Sequence, residues 1–149
     1  MGIGIPQPMK LEHEELHNEL KQAVGAGGRI GEAATQVAHA LHAHFEKEEE
    51  YALPPLGLLP ALAQGQVTAE MAKVLPLTDK LKADLPHMLD EHKAIVAALN
   101  KLTEVAKQEN KPQYVHFADK LMLHAQTEEQ VSYPTAILVG EYVKLALKK

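Results

Sequence analysis

Apolar positions along this chain recur at helical spacing almost from end to end. From just past Pro8 to about Val24, Met9, His13, Leu16, Leu20 and Val24 follow one another at steps of three and four. The glycine-rich run from Gly25 to Gly31 then breaks the pattern. A second helix is predicted from about Glu32 to Tyr51, with Val37, Leu41, His44, Glu48 and Tyr51 on one face and Pro54-Pro55 as its stop. The stretch from Pro55 to Pro86 carries prolines and glycines and reads as irregular. One or two short helices are expected there, with Thr68 as a cap for Ala69 to Val74. A third long helix covers at least His87 to Gln108, with Met88, His92, Ile95, Leu99 and Leu102 on one face. An earlier start near Thr78 would need a kink at Pro86. The fourth runs from Pro112 to Ser132, and Thr135 to Leu147 makes a last amphipathic helix with Leu138, Tyr142 and Leu145 in one stripe.

Strand signals are weak, so the fold class is all-α. Four long helices, with short turns inside each pair, predict an up-down four-helix bundle of two helical hairpins. A C-terminal extra helix and the insertion at about 55–86 complete it. The length of 149 residues suits a single domain spanning 1–149.

Composition narrows the chemistry. There is no cysteine, which excludes disulfides, thiolate catalysis, zinc fingers and cysteine-held iron–sulfur clusters. A net charge of −5, with Arg29 as the one arginine, gives no nucleic-acid surface. No stretch approaches about 18 consecutive apolar residues, so no membrane span is expected. Met1 to Lys10 has no signal-peptide pattern, and a cytoplasmic location is expected. The unusual feature is nine histidines beside only two phenylalanines and no tryptophan. Nitrogen and oxygen ligands without sulfur suit iron, manganese or zinc.

Those histidines belong to an internal repeat. Leu-Glu-His13-Glu-Glu-Leu matches Asp-Glu-His92-Lys-Ala-Ile. His44-Phe-Glu-Lys-Glu48-Glu49, then Pro54, matches His124-Ala-Gln-Thr-Glu128-Glu129, then Pro134. His13 and His92 lie 79 apart, and the other matched pairs 80 apart. Residues i and i+4 sit about 40° apart on a helix and one turn along. His44 with Glu48, and His124 with Glu128, can therefore point at one spot. Packed face to face, the two hairpins would enclose a volume the size of a two-metal centre. Cations there would offset the cost of buried carboxylates.

A histidine in Glu-His on the first helix, His-x-x-x-Glu-Glu followed by proline on the second, and the same order repeated, resembles the hemerythrin-like family, also called HHE cation-binding domains. The likeness spans roughly Lys10 to Pro134. It implies a four-helix bundle holding a non-haem di-iron centre, two oxo- or hydroxo-bridged irons that bind or react with dioxygen, nitric oxide or peroxide, or that sense iron or redox state. Carried over residue by residue, it implies His13, His44, Glu48, His92, His124 and Glu128 as ligands, with the glutamates bridging. Two departures stand out. Hemerythrins proper carry a second histidine on the third helix, four residues before the Glu-His one, where this chain has Met88. His87, one residue off beside Pro86, is the candidate to take its role. Their last carboxylate lies five residues after its histidine, which here is Glu129.

Tyr51 lies seven residues after His44 on the same helix face, so its phenol is expected in the pocket below Glu48, where it could hydrogen-bond a bound oxygen species or ligate a metal, or else serve as a core aromatic; Val131 holds the matching place in the second half. Glu49 and Glu129 are candidate partners for the histidines. Two other readings stay open. His13-Glu14-Glu15-Leu16-His17 fits the H-E-x-x-H pattern of zinc hydrolases. A metal-free helical module for protein interaction is the other. The last helix is a possible homodimer face or simply packs on its own bundle.

Overall fold

The computed structural model describes residues 2–148, and all regular structure among them is helical. Four long helices form a ring. α1 (Gln7–Gly25) packs on α2 (Gly28–Lys47), α2 on α4 (Leu75–Gln108), α4 on α5 (Pro112–Thr127), and α5 back on α1. A short α3 (Leu59–Ala63) and two 3₁₀ turns, Pro54–Leu58 and Ala69–Val74, fill the connection between α2 and α4. α6 (Tyr133–Leu147) closes the chain against α4. No helix among the described residues is long and apolar enough to cross a membrane.

The helix boundaries differ from the predicted ones for identifiable reasons. Only the turn around Ala26 and Gly27 separates α1 from α2, and α2 already begins at Gly28. Gly27, at φ +72°, makes the sharp reversal that other residues resist. Buried Ile30 anchors the first turn of α2 in the core. α4 starts at Leu75 and runs through Pro86. Pro86 stands on the exposed side, where water can take the carbonyl bond that its missing N–H leaves open.

The largest departure falls at the end of each His-x-x-x-Glu segment. Neither Pro54 nor Pro134 stops its helix with a loop. Instead Glu48–Ala52 and Glu128–Ser132 each form a π-helical turn, and helical structure continues beyond. A proline ring crowds the carbonyl four residues back, and a widened turn makes room for it. Each proline lies two residues past its π turn, at the same place in both repeats.

The interior is layered along the bundle axis. One apolar cluster, including Leu16, Leu41, Ile95 and Leu121, fills one end. A second, built around Tyr51, Leu53, Leu81, Met88 and Tyr133, fills the other. His13, His44, His92 and His124 lie one turn beyond the first cluster on their helices, and the polar layer they form separates the two apolar ones. α6 buries Ala136, Val139, Gly140 and Val143, while Leu138, Tyr142 and Leu145 face solvent, so that stripe does not pack on its own bundle.

Candidate metal centre

Six side chains from four helices and the two π turns form this layer. His13 comes from α1, His44 from α2, His92 from α4 and His124 from α5. Glu48 and Glu128 open the two π turns. All are buried except His124, which is nearly so. Their ligand atoms fall into two groups of four, each with its atoms within 4.8 Å of one another: His13, Glu48, His124 and Glu128, and His44, Glu48, His92 and Glu128. The two carboxylates belong to both groups. Within the first, His124 Nε2 lies 3.1 Å from Glu128 Oε2, and His13 Nε2 lies 3.9 Å from Glu48 Oε1. Within the second, His92 Nε2 lies 3.3 Å from Glu128 Oε1 and 2.8 Å from His44 Nε2. Metal bonds of about 2.0–2.2 Å to nitrogen and oxygen place neighbouring donors about 3–4 Å apart, so this spacing suits a cation at each position.

The ring nitrogens are oriented by carboxylates outside the layer. His44 Nδ1–H donates to Glu91 Oε1 at 3.0 Å, and His92 Nδ1–H donates to Glu129 Oε1 at 3.0 Å. His124 Nδ1–H donates to Glu12, and His13 Nδ1 faces Glu49 Oε1 at 3.9 Å. The pattern obeys the repeat. Glu12 and Glu91 each precede the repeat's first histidine, and Glu49 and Glu129 each follow its inner glutamate. With hydrogen on Nδ1, the lone pairs of Nε2 face inward. This is the way ligating histidines are usually held.

Two unprotonated Nε2 atoms, of His44 and His92, face each other at 2.8 Å. His13 Nε2, Glu48 Oε1, His124 Nε2 and Glu128 Oε2 are buried without a hydrogen-bond partner. Such groups are costly to bury, and cations answer every one of them. Burial drives His44 down to about 4 against the pull of Glu91, and also depresses His92 and His124. All three therefore stay neutral near neutral pH. Burial raises Glu128 to about 7. Desolvation works to raise Glu91 as well, but hydrogen bonds from His44 and Lys47 outweigh it and hold it low. Lys47 Nζ donates to Glu91 Oε2 at 3.0 Å.

Two expected site residues stand elsewhere. His87 is exposed and belongs to neither group. Because α4 stays helical through Pro86, the residue one turn before His92 is Met88, which points into the apolar cluster. Tyr51 is buried, but its hydroxyl donates to Asp84. The wide turn that begins at Glu48 changes the rotation per residue and carries Tyr51 off the His44 face. Its counterpart Val131 is exposed. Glu128 sits within the layer and Glu129 outside it. His17 is exposed, so the H-E-x-x-H string splits between a buried and an exposed histidine. His39, His42 and His116 are also exposed.

The sequence reading missed Tyr133. Its hydroxyl donates to Glu48 Oε2 at 2.9 Å and lies 3.0 Å from His44 Nε2, 3.1 Å from His92 Nε2 and 3.4 Å from Glu128 Oε1. Burial and Glu128 push this phenol well above its ordinary range. Its repeat partner is Leu53. Leu53, His13, His124 and Glu128 border a cavity of about 150 Å³.

Fold and donor set define a helical-bundle protein with a buried histidine–carboxylate layer that could hold metal ions. The family model described as hemerythrin HHE cation binding domain matches residues 5–136. The chain belongs to that family. No curated protein and no solved structure gives a significant match to it.

Proposed function

We propose that this protein holds two iron ions, one in each four-donor group, bridged by Glu48 and Glu128, and binds or reacts with a small diatomic molecule or peroxide. The observation that carries the reading is the sharing of two buried carboxylates between two histidine pairs whose Nε2 atoms all face into the layer. Imidazole with carboxylate and no sulfur suits iron, manganese or zinc, and zinc alone of these has no redox chemistry. Bound iron supplies the redox electrons and an open position for a small ligand.

The chain supplies the rest. Glu12, Glu91 and Glu129 hold three of the histidines by Nδ1, fixing tautomer and ring angle. The apolar layers on both sides keep bulk water from the carboxylates. A reducing cytoplasm suits both this chemistry and a chain without cysteine. Sensing of iron or redox state is the same binding event read by a partner. The test is metal analysis after anaerobic iron loading and desalting, with optical spectra before and after exposure to air. Two irons per chain and a spectrum that changes on oxidation support the proposal, and a chain that retains no iron overturns it.

A further inference from the structure

The two four-donor groups are alike in histidines and carboxylates but not in what comes next. On the His44–His92 side, the Tyr133 oxygen stands about 3 Å from both histidine nitrogens and from Glu48 Oε2. That is the spacing of one more donor beside those already present, since ligands at right angles on bonds of about 2.1 Å lie about 3 Å apart. Four atoms able to act as acceptors, His44 Nε2, His92 Nε2, Glu48 Oε2 and Glu128 Oε1, lie within 3.4 Å of the Tyr133 oxygen. On the His13–His124 side the repeat-matched residue is Leu53, which offers no donor, and a cavity of about 150 Å³ lies between it and the histidines. Pro8, Met9, Glu12, Thr127 and Ser132 also line it.

The π turns explain why these two residues face the layer. The N–H of Tyr133 bonds the carbonyl of Glu128, and the N–H of Leu53 bonds that of Glu48 at 2.9 Å. Each is thus stacked one wide turn beyond its glutamate.

Building on the two-metal reading, we propose that Tyr133 ligates the metal held by His44 and His92, leaving the metal held by His13 and His124 as the position that takes an exogenous ligand, in the cavity beside Leu53. On ligation the phenol gives its proton to solvent and the oxygen lone pair goes to the metal. The cavity has room for a diatomic molecule, peroxide or a linear triatomic anion beside that metal.

The test uses the full chain loaded with iron and oxidised to iron(III), with azide as the probe. Wild-type protein with two irons per chain is expected to show a visible phenolate-to-iron charge-transfer band, with tyrosine vibrations enhanced in the resonance Raman spectrum. It is expected to bind one azide per chain. Tyr133→Phe keeps both irons, loses the band and binds two azides. Leu53→Tyr, with the cavity to receive its ring, gains a second phenolate contribution and loses azide binding. A wild-type protein with two irons and no phenolate signature overturns the proposal, as does a Tyr133→Phe protein with an unchanged spectrum. Fewer than two irons in the wild type overturns the two-metal reading itself, and this inference with it.

Discussion

Glu128 and Tyr133 are joined twice across one π-helical turn: the backbone N–H of Tyr133 bonds the Glu128 carbonyl, and the Tyr133 hydroxyl lies 3.4 Å from Glu128 Oε1. An α-helical turn would have stacked residue 131 or 132 beneath the glutamate instead. The widened turn thus decides which side chain enters the polar layer, and it does so once in each repeat.

The shared carboxylates set the first prediction. Glu48 belongs to both donor groups, while His13 belongs to one. Glu48→Ala is therefore expected to bind almost no iron, and His13→Ala to retain about half. Metal that binds only the folded state stabilises it by about 2.7 kcal/mol when present at 100 times its dissociation constant. Glu48→Ala should lose that increment in thermal melts with iron present. Full iron content in Glu48→Ala would contradict the assignment.

The carboxylates behind the histidines set a second. Glu91→Ala and Glu129→Ala leave every proposed ligand in place but free the Nδ1 of His44 and His92. Loss of such partners typically costs about 10–100-fold in metal affinity. Competition with a chromophoric chelator measures this. Affinity equal to wild type in both variants would show that the Nδ1 contacts do not hold the rings.

A third prediction concerns pH in the metal-free protein. Burial raises Glu128 from the ordinary 4.5 to about 7, so the folded state keeps a proton that the unfolded state has released. Its contribution to stability is present in full below 4.5 and is lost as pH rises through about 7. His44, depressed to about 4, works in the opposite sense: its contribution is present above 6.5 and is lost as pH falls towards 4. Comparison with Glu128→Gln isolates the first effect. The variant should gain on the wild type by up to about 3 kcal/mol between pH 4.5 and 7. Denaturant titrations at several pH values give the difference directly, and a constant difference would rule out the buried, proton-holding Glu128.

The exposed histidines make a fourth. His17, His39, His87 and His116 are exposed and lie outside both groups. Alanine at any of them should leave iron content unchanged. Loss of an iron in His87→Ala would restore it as a ligand, and loss in His17→Ala would revive the H-E-x-x-H reading.

Much of this architecture was legible because the repeat encodes it. Helical spacing placed the four long helices, and the matched offsets singled out the six residues that the fold brings together. The three carboxylates that bond Nδ1 were also readable in principle, since each sits beside a repeat-matched residue. What escaped was local backbone geometry. Nothing in the periodicity announces that Glu48 and Glu128 begin π turns, so Tyr51, whose buried phenol bonds Asp84, was expected beside Glu48, and Tyr133 looked like the residue before a helix stop. Pro86 misled in the opposite direction. α4 stays helical from Leu75 through Pro86, and His87 remains on its exposed side.

The most direct test of the central claim is the iron stoichiometry of the wild-type chain, loaded anaerobically and desalted, alongside Glu48→Ala and His13→Ala. The account predicts about two, none and one per chain, respectively. One iron in the wild type, or equal iron in all three proteins, would contradict a carboxylate-bridged pair.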